Sequence, residues 1–262
     1  SIHYANIAAS AQKVTEEIMV KLVNYWRKKT NVDNICLAGG CALNSLANYK
    51  IQKLGVNLFV QPAAGDAGCV LGAALGLNFV KKINIPKGNF KSSLGLSYSE
   101  DAITSALSNY PKSDFKLFKN ENELVLETSN ILAKGGIIGW FQGRGEWGPR
   151  ALGNRSILAS PIYKDMKERL NKSIKFRESF RPFAPAILSE DLSKWFNLNV
   201  DSPYMLLVSD IKKSKRINQK KRDQNLFGID KLRIKRSIVP AITHVDLSSR
   251  IQTVHENTNP RF

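Results

Sequence analysis

Two short apolar runs, NICLA at residues 34–38 and NLFVQ at residues 57–61, constrain the chain most. A glycine-containing turn closes each run, GG at 39–40 and AGDAG at 64–68. Each turn opens a segment with apolar residues at helical spacing, 42–54 and 69–80. Strand, helix, strand and helix in that order favour a parallel pair of buried strands joined by a right-handed crossover. Both turns then follow the carboxyl ends of parallel strands, the edge at which open α/β sheets bind ligands. The arrangement brings Gly39, Gly40, Asn44 and Asp66 toward one crevice. The first turn enters a helix N-terminus, where free backbone N–H groups favour phosphate. A tight structural turn explains the same residues, and Asp66 reads equally well as a helix N-cap.

Elsewhere the spacing predicts a long amphipathic helix over 5–28, with Ile7, Ala11, Val14, Ile18, Leu22, Tyr25 and Trp26 on its apolar face. Residues 81–91, with Pro86 and Gly88, read as a linker. Helices are expected at 99–108, capped by Ser99, and at 121–134, stopped by Gly135 and Gly136. IIGWF at 137–141 reads as a core strand. Residues 164–172 are expected to be helical, and 204–208 and 241–245 to be strands. At 262 residues the chain has room for two domains.

No apolar run reaches the roughly 18 residues a membrane span needs. The first residues lack a charged-then-apolar export signal. Three cysteines, Cys36, Cys41 and Cys69, have no metal-like spacing, fit a reducing cytoplasm, and read as small buried hydrophobes. The net charge of +17 calls for an anionic partner or substrate. Residues 211–236 carry eleven Lys and Arg against two Asp. That run reads as a solvated, mobile loop; no interleaved aromatics support RNA contact.

GRGEWGPRALGNRSILASP at 143–161 sets Arg144, Arg150 and Arg155 among glycines, Asn154 and Ser156. Forked guanidiniums match phosphate oxygens, and glycine lets backbone approach a ligand. The segment reads as a pocket for a polyanionic small molecule; a basic surface loop is the plainer alternative. Lys175, Arg177 and Arg181 follow in NKSIKFRESFRP, with Arg181 flanked by Phe180 and Phe183. His244 and Asp246 are two apart, and on a strand they would share a face. Arg250 and Gln252 are further polar residues near them.

The 143–161 stretch resembles the O-carbamoyltransferases of the NodU/CmcH type. So do MKERLNKSIKFRESFRPFAPAIL, PAITHVDLSSRIQTV, LAGGCALNS and PAAGDAGCVLGAAL, in family order. The resemblance implies an α/β chain: the end of an actin-like (ASKHA) ATPase domain at 1–85, a linker at 86–114, and a YrdC-like domain at 115–262. It also implies a fragment trimmed at both ends, since family members are roughly twice as long. By resemblance, the second domain makes carbamoyl-adenylate from carbamoyl phosphate and ATP. The first transfers the carbamoyl group to a substrate hydroxyl with a metal's help.

Carried onto this chain, Arg150, Arg155 and Asn154 would be catalytic. Arg144, Ser156, Lys175, Arg177 and Arg181 would join them in binding carbamoyl phosphate and ATP. Gly39, Gly40 and Asn44 would bind nucleotide. Asp66 would be a metal ligand, to iron in the full-length enzyme, with magnesium accompanying ATP. The family's HxxxH partners to that aspartate are not in this sequence, and Leu247 stands where the family commonly has glycine. Alternatives are an RNA-binding or threonylcarbamoyl-adenylate module, and an inactive remnant.

Overall fold

The computed structural model describes residues 2–83, 91–219, 226 and 228–262. Part of the expected linker (residues 86–90) and part of the basic run (220–225 and 227) lie outside the described residues.

The chain opens with α1, Ile2–Thr30, whose Arg27, Lys28 and Lys29 complement the helix dipole at its C-terminal turn. The strand–helix–strand–helix unit follows as β1 (Asn34–Leu37), α2 (Ser45–Gln52), β2 (Asn57–Val60) and α3 (Ala67–Val80). β1 and β2 pair in parallel, Asn34 opposite Asn57 through Leu37 opposite Val60. A short 3₁₀ turn, Gly40–Leu43, precedes α2. Next come α4 (Glu100–Leu107), capped by the Ser99 side chain, and α5 (Glu121–Ala133), capped by Asn120. Gly135 ends α5 at φ 82°, a left-handed turn that glycine adopts without strain.

β3 (Ile137–Phe141) and β4 (Arg155–Ala159) form an antiparallel ribbon, Phe141 opposite Arg155. α6 (Met166–Leu170) runs into a wider π turn, Asn171–Lys175. β5 (Ala186–Leu188), α7 (Leu192–Trp195), β6 (Leu207–Asp210) and β7 (Ser248–Val254) complete the chain. In the three-stranded sheet β7 lies centrally, parallel to β5 and antiparallel to β6.

The largest core cluster gathers Leu192, Phe196, Leu207, Ile211, Val239 and Ile251, with Tyr49 and Leu58 packed against it. A second joins Ala42, Val60 and Ala64 to Leu206. Asn48, fully buried on α2, ties the same two regions together: Nδ2 donates to Ala42 O at 2.8 Å and to Leu206 O at 3.1 Å.

Several expectations change. On α1 the predicted apolar face is exposed, Leu22 at 54% and Trp26 at 51%. Met19, Val20 and Val23 on another face pack against Ile51 and Val56 instead. The β1 run is not buried, because the two-stranded sheet leaves one face open, and Cys36, Cys41 and Cys69 are all exposed. The β3 strand is half-exposed rather than core. The basic run is anchored at its described ends: Ile217 N donates to Arg236 O at 2.8 Å, and the Lys215 ammonium lies 4.3 Å from the Trp195 ring centre.

Residues 241–245 form a turn, not a strand. Leu247 sits at φ 68°, and Leu247 N donates to His244 O at 3.1 Å. A positive φ favours glycine, so the departure from the family residue falls at a position under backbone strain. His244 and Asp246 meet through Ser248. The Ser248 hydroxyl donates to Asp246 Oδ1 at 2.7 Å and lies 2.9 Å from His244 Nδ1. With its one proton given to Asp246, that hydroxyl accepts from His244 Nδ1–H. The pair braces the entry to β7.

Two stability predictions follow from these contacts. Asn48→Ala leaves two buried carbonyls unpaired and should cost about 2–4 kcal/mol by urea denaturation; a loss below about 0.5 kcal/mol would refute the bridging role. Burial, with Arg250 and Lys167 nearby, lowers the His244 pKa below its ordinary 6.5 despite the opposing Asp246 carboxylate. The unfolded chain therefore binds the proton more readily, so stability is full above 6.5 and falls as pH drops from there through the depressed value. His244→Gln should flatten the stability slope between about pH 7 and about pH 5 relative to the native chain.

Candidate functional site

The ribbon turn between β3 and β4 is built around Glu146. One carboxylate oxygen accepts from three backbone N–H groups, Leu152 and Asn154 at 2.7 Å and Arg155 at 3.3 Å. Asn154 is fully engaged: Nδ2 donates to Ser93 Oγ at 2.9 Å and Arg144 O at 2.6 Å, and Oδ1 accepts from Gln142 at 3.1 Å. The Arg155 guanidinium is occupied too. It donates to Gln142 O, Asn154 O and Gly143 O at 2.7, 2.8 and 3.1 Å, and stacks 3.4 Å from the Phe141 ring centre. Arg144 reaches Gly95 O at 3.4 Å from an exposed position. Arg144, Asn154 and Arg155 thus hold the loop's shape and do not line the cavity beside it.

That cavity, about 590 Å³, lies between β4, the 182–186 segment, the π turn and β7. Its size falls within the usual ligand-pocket range of about 300–1,000 Å³. Arg150, Ser156, Lys175 and Arg177 line it, together with Arg250 and Gln252. Ser156 Oγ accepts from Gly153 N at 2.9 Å. Arg150 keeps its Nε buried without a hydrogen-bond partner among the described residues.

Arg177 is positioned by Asn171, which is fully buried at the end of α6. Asn171 Oδ1 accepts from Arg177 Nε at 2.6 Å, while Nδ2 donates to Ser179 O at 3.2 Å and Arg181 O at 2.9 Å. The Phe183 ring lies 4.9 Å from the Arg177 guanidinium. Arg181 itself pairs with Glu178 at 2.8 Å, its side chain 54% exposed, and does not line the cavity.

Arg250 shows what the cavity does electrostatically. Burial, then the positive charges of Arg150 and Arg177, push its pKa down to about 10. Among the described residues none of these three arginines is in an ion pair. Three guanidiniums facing one cavity without a carboxylate between them make a seat for an anion. By residue type the loop arginines read as phosphate ligands, and of the three only Arg150 lines the cavity. In the sequence Arg250 reads only as a polar neighbour, and no local pattern marks Asn171 or Glu146. The signal for Arg250 and Gln252 is period-two alternation in SSRIQTV, which sets both on one face of β7 and Ile251 on the other.

A second groove, about 400 Å³, follows β1 and β2 as the parallel topology predicts. Gly39, Gly40 and Asp66 line it. Asn44 does not: its Oδ1 caps α2 by accepting from Ala47 N at 3.1 Å, and its amide exchanges hydrogen bonds with Gln12 at 3.1 and 2.9 Å. Asp66 makes no side-chain cap, contrary to the N-cap reading, and its carboxylate is exposed to the groove. Among the described residues no three His, Cys, Asp or Glu side chains come together to hold a metal. Asp66 supplies at most one ligand. No described helix is long and apolar enough to cross a membrane.

The chain is 44% identical over 264 residues to an uncharacterized protein of Synechocystis, covering 98% of this chain and 43% of that one. It is 36% identical over 269 residues to nodulation protein NolO of Bradyrhizobium diazoefficiens, covering 99% and 44%. It is 32% identical over 228 residues to 3'-hydroxymethylcephem-O-carbamoyltransferase of Streptomyces clavuligerus, covering 86% and 37%. The chain thus spans less than half the length of these relatives. Residues 2–75 match the carbamoyltransferase N-terminus. Residues 129–262, more than half of the chain and the part that contains the arginine-lined cavity, match the carbamoyltransferase C-terminus, so the chain belongs to the carbamoyltransferase family.

Proposed function

We propose that the arginine-lined cavity binds carbamoyl phosphate and the phosphates of ATP, and that the protein of which this sequence forms part makes carbamoyl-adenylate there for transfer to a substrate hydroxyl. The observation that carries this reading is the convergence of Arg150, Arg177 and Arg250 without an opposing carboxylate. In the proposed reaction, water releases phosphate from carbamoyl phosphate to leave carbamate. A carbamate oxygen then attacks the α-phosphorus of ATP, and pyrophosphate departs with the electrons of the broken P–O bond. Two anions must meet, so fixed cations hold them together and stabilise the charge that builds up in transfer.

In this scheme Arg150 and Arg177 grip phosphate oxygens, and Arg250 supplies positive field from the sheet behind them. Lys175 adds a mobile ammonium at the rim. Ser156 and the loop braced by Glu146, Asn154 and Arg155 set the wall against which the ligand lies. The C-terminal unit corresponds in this reading to a YrdC-like domain, and the β1–β2 unit to the end of an actin-like (ASKHA) domain. Its groove, with Gly39 and Gly40, would take nucleotide. Asp66 brings one carboxylate to that groove, and no step is assigned to a metal, because the described residues do not complete a coordination set. Threonylcarbamoyl-adenylate synthesis would start from threonine and bicarbonate, so the choice of substrate separates it from this reading. The hydroxymethylcephem in the name of the Streptomyces clavuligerus relative gives one hydroxyl-bearing small molecule as an example of the acceptor class.

Calorimetric titration with carbamoyl phosphate and with ATP tests the proposal. Arg150→Ala should weaken binding by about 1.5–3 kcal/mol, the range for a charged hydrogen bond, with little loss of thermal stability, because it relieves like-charge repulsion. Arg155→Ala should behave in the opposite sense. Losing three carbonyl contacts and a ring stack, it should lower stability by about 1–3 kcal/mol, and affinity only as the loop loosens. Unchanged affinity in Arg150→Ala would overturn the assignment.

A further inference from the structure

Gln252 stands on the central strand β7, 4% exposed, and lines the same cavity. Its backbone N–H donates to Pro185 O at 2.9 Å, and its Cα pairs with Ala186 across the parallel register. The side chain has one orientation available. Nε2 donates to Leu152 O at 2.8 Å, and a carbonyl can only accept, so the amide nitrogen faces Leu152. Oε1 then faces away. It is buried and has no hydrogen-bond partner among the described residues.

The charged groups that line the same cavity, Arg150, Lys175, Arg177 and Arg250, are all donors. Gln252 Oε1 is therefore a buried, unpaired acceptor on a side chain that lines a donor-rich cavity, and a buried acceptor left unmade is costly. The ligand that answers both requirements carries an anion at one end and an N–H donor beside it.

We propose that Gln252 Oε1 accepts a hydrogen bond from the carbamoyl –NH₂, and so selects a carbamoyl over an acetyl group on the bound phosphate. This rests on reading the cavity as the carbamoyl phosphate site. Acetyl phosphate has the same phosphate, the same carbonyl and a methyl where the amine stands. In its complex Oε1 stays unpaired, and sites built around a substrate N–H reject analogues that lack it.

The test is titration of the whole chain with fresh carbamoyl phosphate, acetyl phosphate and inorganic phosphate. The native chain should bind carbamoyl phosphate about ten- to a hundredfold more tightly than acetyl phosphate. In Gln252→Met the two should converge to within about twofold by loss of carbamoyl phosphate affinity, with inorganic phosphate unchanged. Equal native affinity for carbamoyl and acetyl phosphate, both bound, would overturn the role of Gln252 and leave the anion site standing. No binding of any of the three would overturn the reading of the cavity and this inference with it. Should Gln252→Met fail to fold, the native ratio still decides.

Discussion

Like charges do not gather without a cause. Arg150, Arg177 and Arg250 raise one another's electrostatic energy, and burial, then the charges of Arg150 and Arg177, hold the Arg250 pKa down to about 10. The arrangement persists because each side chain is fixed by something else. Arg250 belongs to the central strand of a sheet hydrogen-bonded on both sides. Arg177 is held by the buried Asn171 amide and by the Phe183 ring. Arg150 lies within the loop that Glu146 ties together. The fold therefore maintains a cationic cavity ahead of any ligand, and a bound anion would relieve energy already stored there. Preorganised charge of this kind avoids reorganisation when a reaction's own charge develops.

Much of the scaffold could be read from residue spacing. Helices ended where caps and glycines stand, at Ser99 and at Gly135, and β1 and β2 paired in parallel as the alternation of runs and turns required. Periodicity identifies a helix but not the face that the rest of the chain will cover. The α1 stripe with Leu22 and Trp26 lies exposed, while Met19, Val20 and Val23 pack. α3 is apolar around its whole circumference, and none of its residues is buried. The 241–245 segment looked like a strand because its residues have strand propensity. Leu247 at φ 68° and the Ser248 bridge made it a turn, an outcome settled by tertiary contacts.

The site was legible in its chemistry but only partly in its membership. Arg150, Ser156, Lys175 and Arg177 meet in one cavity, whereas Arg144, Asn154, Arg155 and Arg181 stand outside it. Arg250 and Gln252 joined from a strand about a hundred residues further along, as the Gln252 contact to Leu152 records. Sheet pairing created that proximity, and no local pattern in the arginine loop encodes it. Gly39, Gly40 and Asp66 reached their groove because a parallel pair places both following turns at one edge, a consequence of topology that short-range sequence does carry.

Arg150 and Arg155 show why residue type alone could not assign roles. They lie five positions apart in one loop and offer the same five donors. Arg155 opens β4, opposite Phe141, so its guanidinium falls back across the ribbon onto three loop carbonyls and the ring. Arg150 precedes the segment tied to Glu146, at the mouth of the cavity, and its Nε has no such carbonyl to meet. One cation is spent in shaping the wall, and the other lines the cavity with its Nε unpaired among the described residues. The difference is set by the register of the ribbon: a guanidinium whose hydrogen bonds are satisfied by its own loop has little to offer a ligand, and one left unsatisfied beside two others keeps donors that an anion can meet.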